Sequence, residues 1–342
     1  MVTIKQIAQK TGVSPSTVSN VLHDREYKMT EETLEKIRKV IRETQYVPNM
    51  GGRILRNKKS QIIGVIISHK ERDTINLFQY PFYSEIIGVM EKIIRNYGYF
   101  MMLYTAANIE ESLQIARAWN IDGLIMMGCQ LNECSKIQKN TSIPLVFIDS
   151  YFIDDGLPYT CVGLEDRQGG YLMVKHLIEK GHRNICFFSN EVFKYGVYYE
   201  RYCGCKQAME EAGLPFGDEH YKIIPIDNTQ MSVFLENFIN KEMHRYSVLF
   251  FANDSFALNA ISCFADKGIR IPDDISLCGF DGDAFSLLYR PKLTTVQQNV
   301  SEKGVYAVNM LMKLIRKEHL EQRIIRLNVS IRDGESVKNY RH

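Results

Sequence analysis

The sequence predicts a small all-α domain followed by a larger α/β domain with doubly wound parallel sheets. In the first fifty residues, three short amphipathic helical patterns follow one another. From residue 61 onward, apolar β-rich runs alternate with helical patterns of about 10 to 15 residues, and such alternation requires parallel strands joined by crossover helices. A length of 342 residues fits one small and one large domain.

The first helical pattern begins at Thr3. Thr3 and Gln6 form the sequence signature of a capping box, Ile7 and Ala8 supply an apolar face, and Gly12 ends the helix. A second helix follows almost at once, because Ser14 can cap it and Pro15 suits its first turn.

Two short helices around a tight glycine turn form a helix-turn-helix, whose second helix can enter the major groove of DNA. A third helix begins at Thr30 and points Leu34, Ile37 and Ile41 inward, which completes a small core. The alternative from helix pattern alone is a three-helix bundle that binds protein. The residues expected to contact DNA in this part are Thr3, Ser14, Pro15, Ser16, Thr17 and Asn20.

Charge is unevenly distributed along the chain. Residues 1–59 carry twelve Lys and Arg against six Asp and Glu, a net charge of +6, whereas the rest of the chain carries 30 against 34, a net charge of −4. A basic amino-terminal part on an acidic body indicates that a polyanion contacts one end of the molecule.

Three segments carry a resemblance to a known family: TIKQIAQKTGVSPSTVSNVL, TEETLEKIRKVIRETQYVPN and GRILR. They resemble the headpiece and hinge of the lactose repressor family. The resemblance implies a headpiece over residues 1–47, a hinge over 48–59 that becomes helical on operator DNA, and a sensor domain over 60–342. It also implies that Asn49, Arg53 and Leu55 contact DNA, with Leu55 wedged into the minor groove.

Gly51 and Gly52 depart from the family pattern, which favours helix-forming residues at this point of the hinge. Each glycine costs up to about 1 kcal/mol relative to alanine in a helix. We therefore expect either weak intrinsic operator affinity or a tight dependence on effector state.

The β-rich runs after residue 60 fall into two series, which predicts two lobes. The resemblance implies a periplasmic-binding-protein-like sensor domain in which the chain crosses between lobes near Cys161, Leu293 and Leu327. Lobe 1 then spans about 60–161 and 293–326, and lobe 2 about 162–292 and 327–342. A ligand would bind in the crevice at the carboxyl ends of both sets of strands.

Three polar residues, Asp149, Asn253 and Asp281, each end a different apolar strand run, so they should face one crevice. A purely structural alternative is that such residues cap helices, and we expect Asp254 to cap the helix that follows it. The resemblance implies that Asp149, Asn253, Asp281, Arg201 and Gln298 bind effector. Arg201 opens an RYCGC segment that resembles the family's Arg-x-x-Gly, and its donors suit paired hydroxyls or a carboxylate.

Aromatic residues cluster near the predicted crevice, and flat apolar faces suit the C–H side of a sugar ring. Phe82 and Tyr83 follow Pro81 at the start of the first crevice helix and are the aromatic residues that we expect to contact the effector. The other candidates are Tyr151, Phe152, Tyr195, Tyr198 and Tyr199, and most of the aromatic residues could equally belong to the core. A sugar or sugar derivative is the favoured effector. A purine is disfavoured, because Tyr195 and Val197 stand where the purine-responsive branch of the family has polar partners.

Other classes of protein are disfavoured by what the sequence lacks. It has no glycine-rich dinucleotide loop, no phosphate-binding Gly-Lys-Ser/Thr loop and no serine elbow. A hydrolase of small sugars is left as an alternative, because carboxylates gather at the strand ends. The eight cysteines show no metal or redox spacing, so we expect reduced thiols and neither a metal nor another cofactor. A transporter's solute-binding protein shares the two-lobed fold but needs export, and the first residues do not form a secretory signal.

The prediction is therefore a cytoplasmic transcription regulator, not an enzyme. Because a small headpiece reads few base pairs, we expect a homodimer on a near-palindromic operator, with no leucine heptad to build a tetramer. The effector, bound between the lobes, would control DNA binding by changing the angle between them. Whether it releases DNA or promotes binding is left open.

Overall fold

A computed structural model of the chain describes residues 2–22, 29–46, 59–69, 76–152, 154–190 and 195–340. The chain divides into two compact units, Met1–Ser60 and Gln61–His342. The predicted hinge over 48–59 falls almost wholly outside the described residues, and so do its three candidate DNA contacts, Asn49, Arg53 and Leu55.

The small unit contains three helices: α1 (Ile4–Thr11), α2 (Pro15–Val21) and α3 (Glu31–Thr44). Its amino-terminal caps are those predicted. Gln6 N donates to Thr3 Oγ1 over 3.3 Å and Thr3 N donates to Gln6 Oε1 over 2.9 Å, which closes the capping box. Gly12, with φ +73°, ends α1. Ser14 caps α2.

The core of the small unit is built by residues from all three helices. Its fully or almost fully buried members are Ile7, Ala8, Val18, Val21, Leu34 and Ile37. Ile41, predicted to face inward, packs against this core while half-buried. A core of this size stabilises a small domain only modestly, so single apolar residues matter here.

Lobe 1 of the large unit is a six-stranded sheet in which all strands are parallel, in the order β11-β5-β4-β3-β1-β2. Its strands are β1 (Ile62–Ser68), β2 (Phe100–Ala106), β3 (Gly123–Met127), β4 (Leu145–Ile148), β5 (Cys161–Leu164) and β11 (Ile324–Leu327). Its helices are α4 (Pro81–Asn96), α5 (Ile109–Ala118), α6 (Leu131–Asn140) and α12 (Val300–Ile315).

Lobe 2 is a second six-stranded sheet, in the order β12-β10-β9-β8-β6-β7, parallel except for the pairing of β12 with β10. Its strands are β6 (Ile185–Ser189), β7 (Tyr221–Ile223), β8 (Val248–Phe251), β9 (Ser276–Asp281), β10 (Thr294–Gln297) and β12 (Ser330–Arg332). Its helices are α7 (Asp166–Glu179), α8 (Val197–Glu211), α9 (Asn228–Lys241), α10 (Asp254–Asp266) and α11 (Phe285–Leu288).

The chain crosses between lobes three times, and two of the crossings lie later than predicted. β5 pairs with β4, so the first sheet continues through Leu164 and the crossing follows it instead of lying near Cys161. β10 pairs with β9, so lobe 2 extends to Gln297 and the second crossing is not near Leu293. The third crossing follows Leu327. In both places a short strand at the crossing, β5 or β10, extends its lobe by a few residues beyond the predicted boundary.

No helix among the described residues is long and apolar enough to span a membrane. All eight cysteines are free thiols, six of them buried and Cys203 and Cys263 half-buried.

Candidate functional site

The predicted DNA-facing side chains lie at or near the surface of the small unit. Thr3, Ser14, Pro15 and Ser16 are exposed, and Thr17 and Asn20 are half-buried. The Ser14 hydroxyl lies 2.6 Å from that of Ser16 and 2.9 Å from that of Thr17, so α2 begins with a group of linked hydroxyls. Asn20 lies on the same helix and presents an amide, a group that can bond an adenine edge.

The large unit contains a cavity of about 420 Å³ between the two lobes. It lies at the carboxyl ends of the parallel strands, where doubly wound sheets place their ligands. All seven residues predicted to bind effector line it: Phe82, Tyr83, Asp149, Arg201, Asn253, Asp281 and Gln298. The structure thus brings these residues together, and their contact with an effector stays a prediction.

Two carboxylates on the cavity wall sit on strained backbone. Asp149 follows β4 with φ +53°, and Asp281 ends β9 with φ +127°. Positive φ is unfavourable for a residue with a side chain, and such residues are concentrated at functional sites. Both carboxylates line the cavity at the ends of their strands.

Arg201 is held almost fully buried on α8, with 4% of its surface exposed. Its Nε donates to Asp166 Oδ1 over 2.9 Å, its Nη1 donates to the Ala252 carbonyl, and Nη1 also lies 3.6 Å from Asp281 Oδ1. Burial opposes its charge, but Asp166 and Asp281 raise the pKa of Arg201 above its ordinary value. The guanidinium stacks 3.5 Å from the centre of the Phe280 ring.

The glycine of the Arg-x-x-Gly segment positions Arg201. A Cβ on Gly204 would lie 1.9 Å from the Arg167 carbonyl oxygen, and one on Gly170 would lie 2.0 Å from the Arg201 carbonyl oxygen. Helices α7 and α8 therefore approach more closely than side chains at these positions would permit. This close packing brings Arg201 to Asp166, the first residue of α7.

A buried lysine links the two lobes through polar contacts. Lys303 of α12 is fully buried, and its Nζ lies 2.8 and 2.7 Å from the two carboxylate oxygens of Asp149. The same Nζ donates to Gln298 Oε1 over 2.9 Å, and Gln298 Nε2 donates to Asp281 Oδ1 over 2.7 Å. A continuous set of contacts thus runs from Asp149 in lobe 1 to Arg201 in lobe 2.

Asp254 does not cap α10, contrary to the prediction. Asn253 is the cap, since its Oδ1 accepts from Phe256 N over 2.8 Å. The fully buried Asp254 accepts instead from the Thr295 hydroxyl at 2.6 Å and from Asp283 N at 3.0 Å. The sequence pattern places the cap at Asp254, but the helix already begins there, so the cap is the preceding residue, Asn253.

Burial governs the acidity of the carboxyls in lobe 2. It raises the pKa of Asp254 to about 8, with a further contribution from the nearby Asp281. Burial also raises the pKa of Asp281 to about 6, although Arg201, Gln298 and Lys303 act in the opposite direction. Asp281 is therefore mostly ionised at neutral pH, and Asp254 is mostly protonated.

The aromatic residues divide between the cavity and the protein core. Phe82, Tyr83 and Tyr198 line the cavity, and Asn253 Nδ2 donates to the Tyr198 hydroxyl over 2.9 Å. Phe152 stacks on Tyr159 with ring centres 4.1 Å apart in the core of lobe 1. Tyr151 donates its hydroxyl to Asp166 over 2.8 Å. Tyr151 and Phe152 thus make the internal contacts that were the alternative left open for them.

Sequence reasoning missed Lys303, Asp166 and Asn190. Lys303 could have been found, because it stands three residues after Val300 and four before Ala307 on the apolar face of α12. A lysine on an apolar stripe needs a buried partner. Asp166 and Asn190 carry no comparable signal, since each is a polar residue next to a predicted element.

Two family profiles match the chain. "Bacterial regulatory proteins, lacI family" matches residues 3–49, and "Periplasmic binding protein-like domain" matches residues 174–337. The chain is 31% identical to the "HTH-type transcriptional repressor PurR" of Pasteurella multocida, over 99% of both proteins.

Solved structures share the fold. The Lac repressor dimer bound to operator and the anti-inducer ONPF superposes with a TM-score of 0.84 at 22% identity, covering 98% of this chain and 99% of that one. A complex of the transcriptional regulator CelR with cellobiose superposes with a TM-score of 0.71 at 20% identity, covering 98% and 100%.

Proposed function

The chain belongs to the lacI family of bacterial regulatory proteins. We propose that it represses carbohydrate-utilisation genes and that a small molecule bound in the interlobe cavity controls this repression. It is a DNA-binding regulator and not an enzyme, like the repressors that it matches. The observation that carries the proposal is the pairing of a helix-turn-helix with a cavity whose wall gathers all seven predicted effector residues.

DNA recognition is assigned to the small unit. The polar groups at the start of α2 would enter the major groove, with Ser16 and Asn20 reaching base edges and Thr3 and Ser14 contacting phosphates. By the family resemblance, Arg53 and Leu55 of the hinge would enter the minor groove beside them. Such a protein acts in the cytoplasm, where the chromosome is.

A homodimer is supported by an exposed apolar segment in lobe 2. On and after α11, Phe285 is 51% exposed and Leu288 is 71% exposed, and Leu287 and Tyr289 add further apolar surface. Clustered exposed apolar residues mark an interaction surface. A second copy of the chain would cover them, and two headpieces would then read two half-sites of a near-palindromic operator. One of the similar structures is itself described as a repressor dimer on its operator.

A sugar is the effector that the cavity wall favours. Carboxylate, amide and guanidinium groups from both lobes can bond neighbouring hydroxyls, and Phe82 and Tyr83 present flat apolar faces to a ring. Because the contacts from Asp149 to Arg201 include groups of both lobes, a ligand that replaces some of them would change the preferred lobe angle. The change would reach the hinge through lobe 1, whose first strand follows it in the chain.

The test is binding of the purified protein to fragments of its own upstream DNA at stated salt concentrations, with wild type, Asn20→Ala and the control Gln9→Ala. We expect one fragment to bind tightly with two chains per fragment. Asn20→Ala should lose about tenfold or more of the specific affinity and retain the salt-dependent general binding. Gln9 is exposed on α1, so Gln9→Ala should match wild type.

Equal affinity for every fragment and for random DNA, with and without pooled metabolites, would contradict the regulator function. Leu55→Ala provides an independent test of the hinge. It should weaken specific binding and leave general binding intact if the leucine wedges between base pairs.

A further inference from the structure

We propose that the cavity takes an uncharged, polyhydroxylated effector, excludes the phosphorylated or carboxylated forms of the same sugar, and uses Asn190 as an effector-binding residue. This inference rests on the proposed function, because it specifies the effector class of the same cavity. It depends on the balance of charge and of hydrogen-bond donors and acceptors on the wall.

The arginine and the lysine at the cavity are already paired with carboxylates of the protein. Arg201 bonds Asp166 at 2.9 Å and lies 3.6 Å from Asp281. Lys303 lies within 2.8 Å of both oxygens of Asp149 and is fully buried behind the wall. Neither cation therefore has an unpaired charge to offer to a phosphate or a carboxylate, which is how proteins usually hold such groups.

The wall itself is acidic. The described residues that line the cavity include four carboxylates, Glu133, Asp149, Asp281 and Asp283, against one guanidinium, Arg201, and one imidazole, His69. Even with Asp149 paired to Lys303, the carboxylates outnumber the arginine. An anionic ligand would bring its charge next to like charges in a partly desolvated space, where like-charge contacts are strongly unfavourable. A neutral ligand meets no such repulsion.

The wall also offers one buried hydrogen-bond acceptor, Asn190 Oδ1, that has no donor among the described residues. Asn190 follows β6, and its Oδ1 is buried without a hydrogen-bond partner in the described part of the chain. Asp281 accepts from Gln298 and faces Arg201 through Oδ1. A buried acceptor without a donor is unfavourable, and a bound donor removes that cost.

Hydroxyl groups suit the Asn190 oxygen and the wall carboxylates, and anionic groups do not. A sugar hydroxyl donates one hydrogen bond and accepts others, so a polyol can donate to Asn190 and Asp281 and accept from Arg201. A phosphate dianion or a carboxylate has acceptors only. The wall therefore selects a ligand rich in donors and without negative charge.

The test is titration calorimetry of the full chain against matched pairs: glucose and glucose 6-phosphate, ribose and ribose 5-phosphate, galactose and galacturonate, with cellobiose, guanine and hypoxanthine added. We expect a neutral sugar to bind and its charged partner to bind at least about 100-fold more weakly. Three results would overturn the inference. They are equal or tighter binding of a charged partner, binding of a purine base in place of the sugars, and no binding by any neutral sugar.

A variant pair tests the assignment of Asn190. Asn190→Leu removes the acceptor and should weaken sugar binding about tenfold or more, with little change in thermal stability because none of the described residues bonds Oδ1. The control is Asn237→Leu, at an exposed position on α9. Unchanged sugar affinity in Asn190→Leu would overturn the assignment.

The DNA-binding assay separates this inference from the proposed function. Specific binding to an upstream fragment combined with binding of a sugar phosphate would leave the regulator intact and refute the effector class. If a neutral sugar binds as expected but the protein prefers no DNA fragment, the effector class stands and the regulator function is refuted.

Discussion

The small unit and the interlobe cavity are organised by contacts of very different range along the chain. In the small unit, the groups that shape the surface of α2 are near neighbours, such as Ser14 with Ser16 and Thr17. In the cavity, Lys303 bonds Asp149 from 154 residues away. The small unit is built from local sequence signals, whereas the cavity exists only once both lobes have folded.

This difference has an energetic counterpart. The small unit is stabilised by helix caps and by the packing of a small apolar core, both of which tolerate exposed polar residues nearby. The cavity buries ionised groups, which is favourable only while every partner is present. Substitutions in the two regions should therefore differ in the size of their effect on stability.

Lys303→Met should destabilise the large unit by about 3–5 kcal/mol, because it leaves Asp149 and Gln298 without their shared donor in a buried site. Unfolding in denaturant, followed by the fluorescence of Trp119 in lobe 1, measures this effect. The control is Lys313→Met, at an exposed position on the same helix. A loss below about 1 kcal/mol would show that the ion pair contributes little and that the lobes are joined by apolar contacts.

Ile37→Ala should destabilise the small unit by about 3 kcal/mol, since Ile37 is fully buried in its core. Specific DNA binding should weaken, while the unfolding of the large unit followed by Trp119 stays unchanged. Amide hydrogen exchange in α1–α3 measures the lost stability of the small unit directly. The control is Lys36→Ala, at an exposed position on α3. A parallel loss in the large unit would contradict the separation into two units.

Raising the pH from 6 to 8 should destabilise the large unit by about 2 kcal/mol through Asp254. Burial raises the pKa of this carboxyl to about 8 in the folded chain, far above its ordinary value of 3.8 in an unfolded chain. Between these values the folded chain keeps a proton that the unfolded chain has lost. Stability therefore falls as the pH rises towards 8.

Asp254→Asn supplies the control for that pH dependence. Thermal unfolding from pH 5 to 8.5 should show a flatter curve in the variant than in wild type, since asparagine does not titrate. The Thr295 hydroxyl can reverse its hydrogen bond to suit the amide. Identical slopes in the two proteins would assign the pH dependence to other groups.

The range of the contacts also explains how much the sequence could predict. Capping residues, helix periodicity and the alternation of strands and helices are local, and the three headpiece helices and most strands of both lobes follow from them. The positions of β5 and β10 depend on which sheet each strand joins, and two crossings were therefore placed too early.

In the cavity, residues that end strand runs could be predicted because parallel strands deliver their carboxyl ends to one edge. Asp149, Asn253 and Asp281 were found in this way, and Arg201 and Gln298 through the family resemblance. The supporting groups Asp166 and Lys303 could not be paired with them in advance, because a residue pair such as Lys303 and Asp149 has no signature in the spacing of one sequence.

The central claim is that the cavity controls the DNA-binding unit. The most direct measurement is the affinity for the preferred upstream fragment with and without a saturating concentration of the sugar that binds the cavity. We expect a change of about tenfold or more, and an equal change in the affinity for the sugar when DNA is bound, because coupling between two sites is reciprocal. A sugar that binds the cavity and leaves the DNA affinity unchanged would contradict control of DNA binding by the cavity.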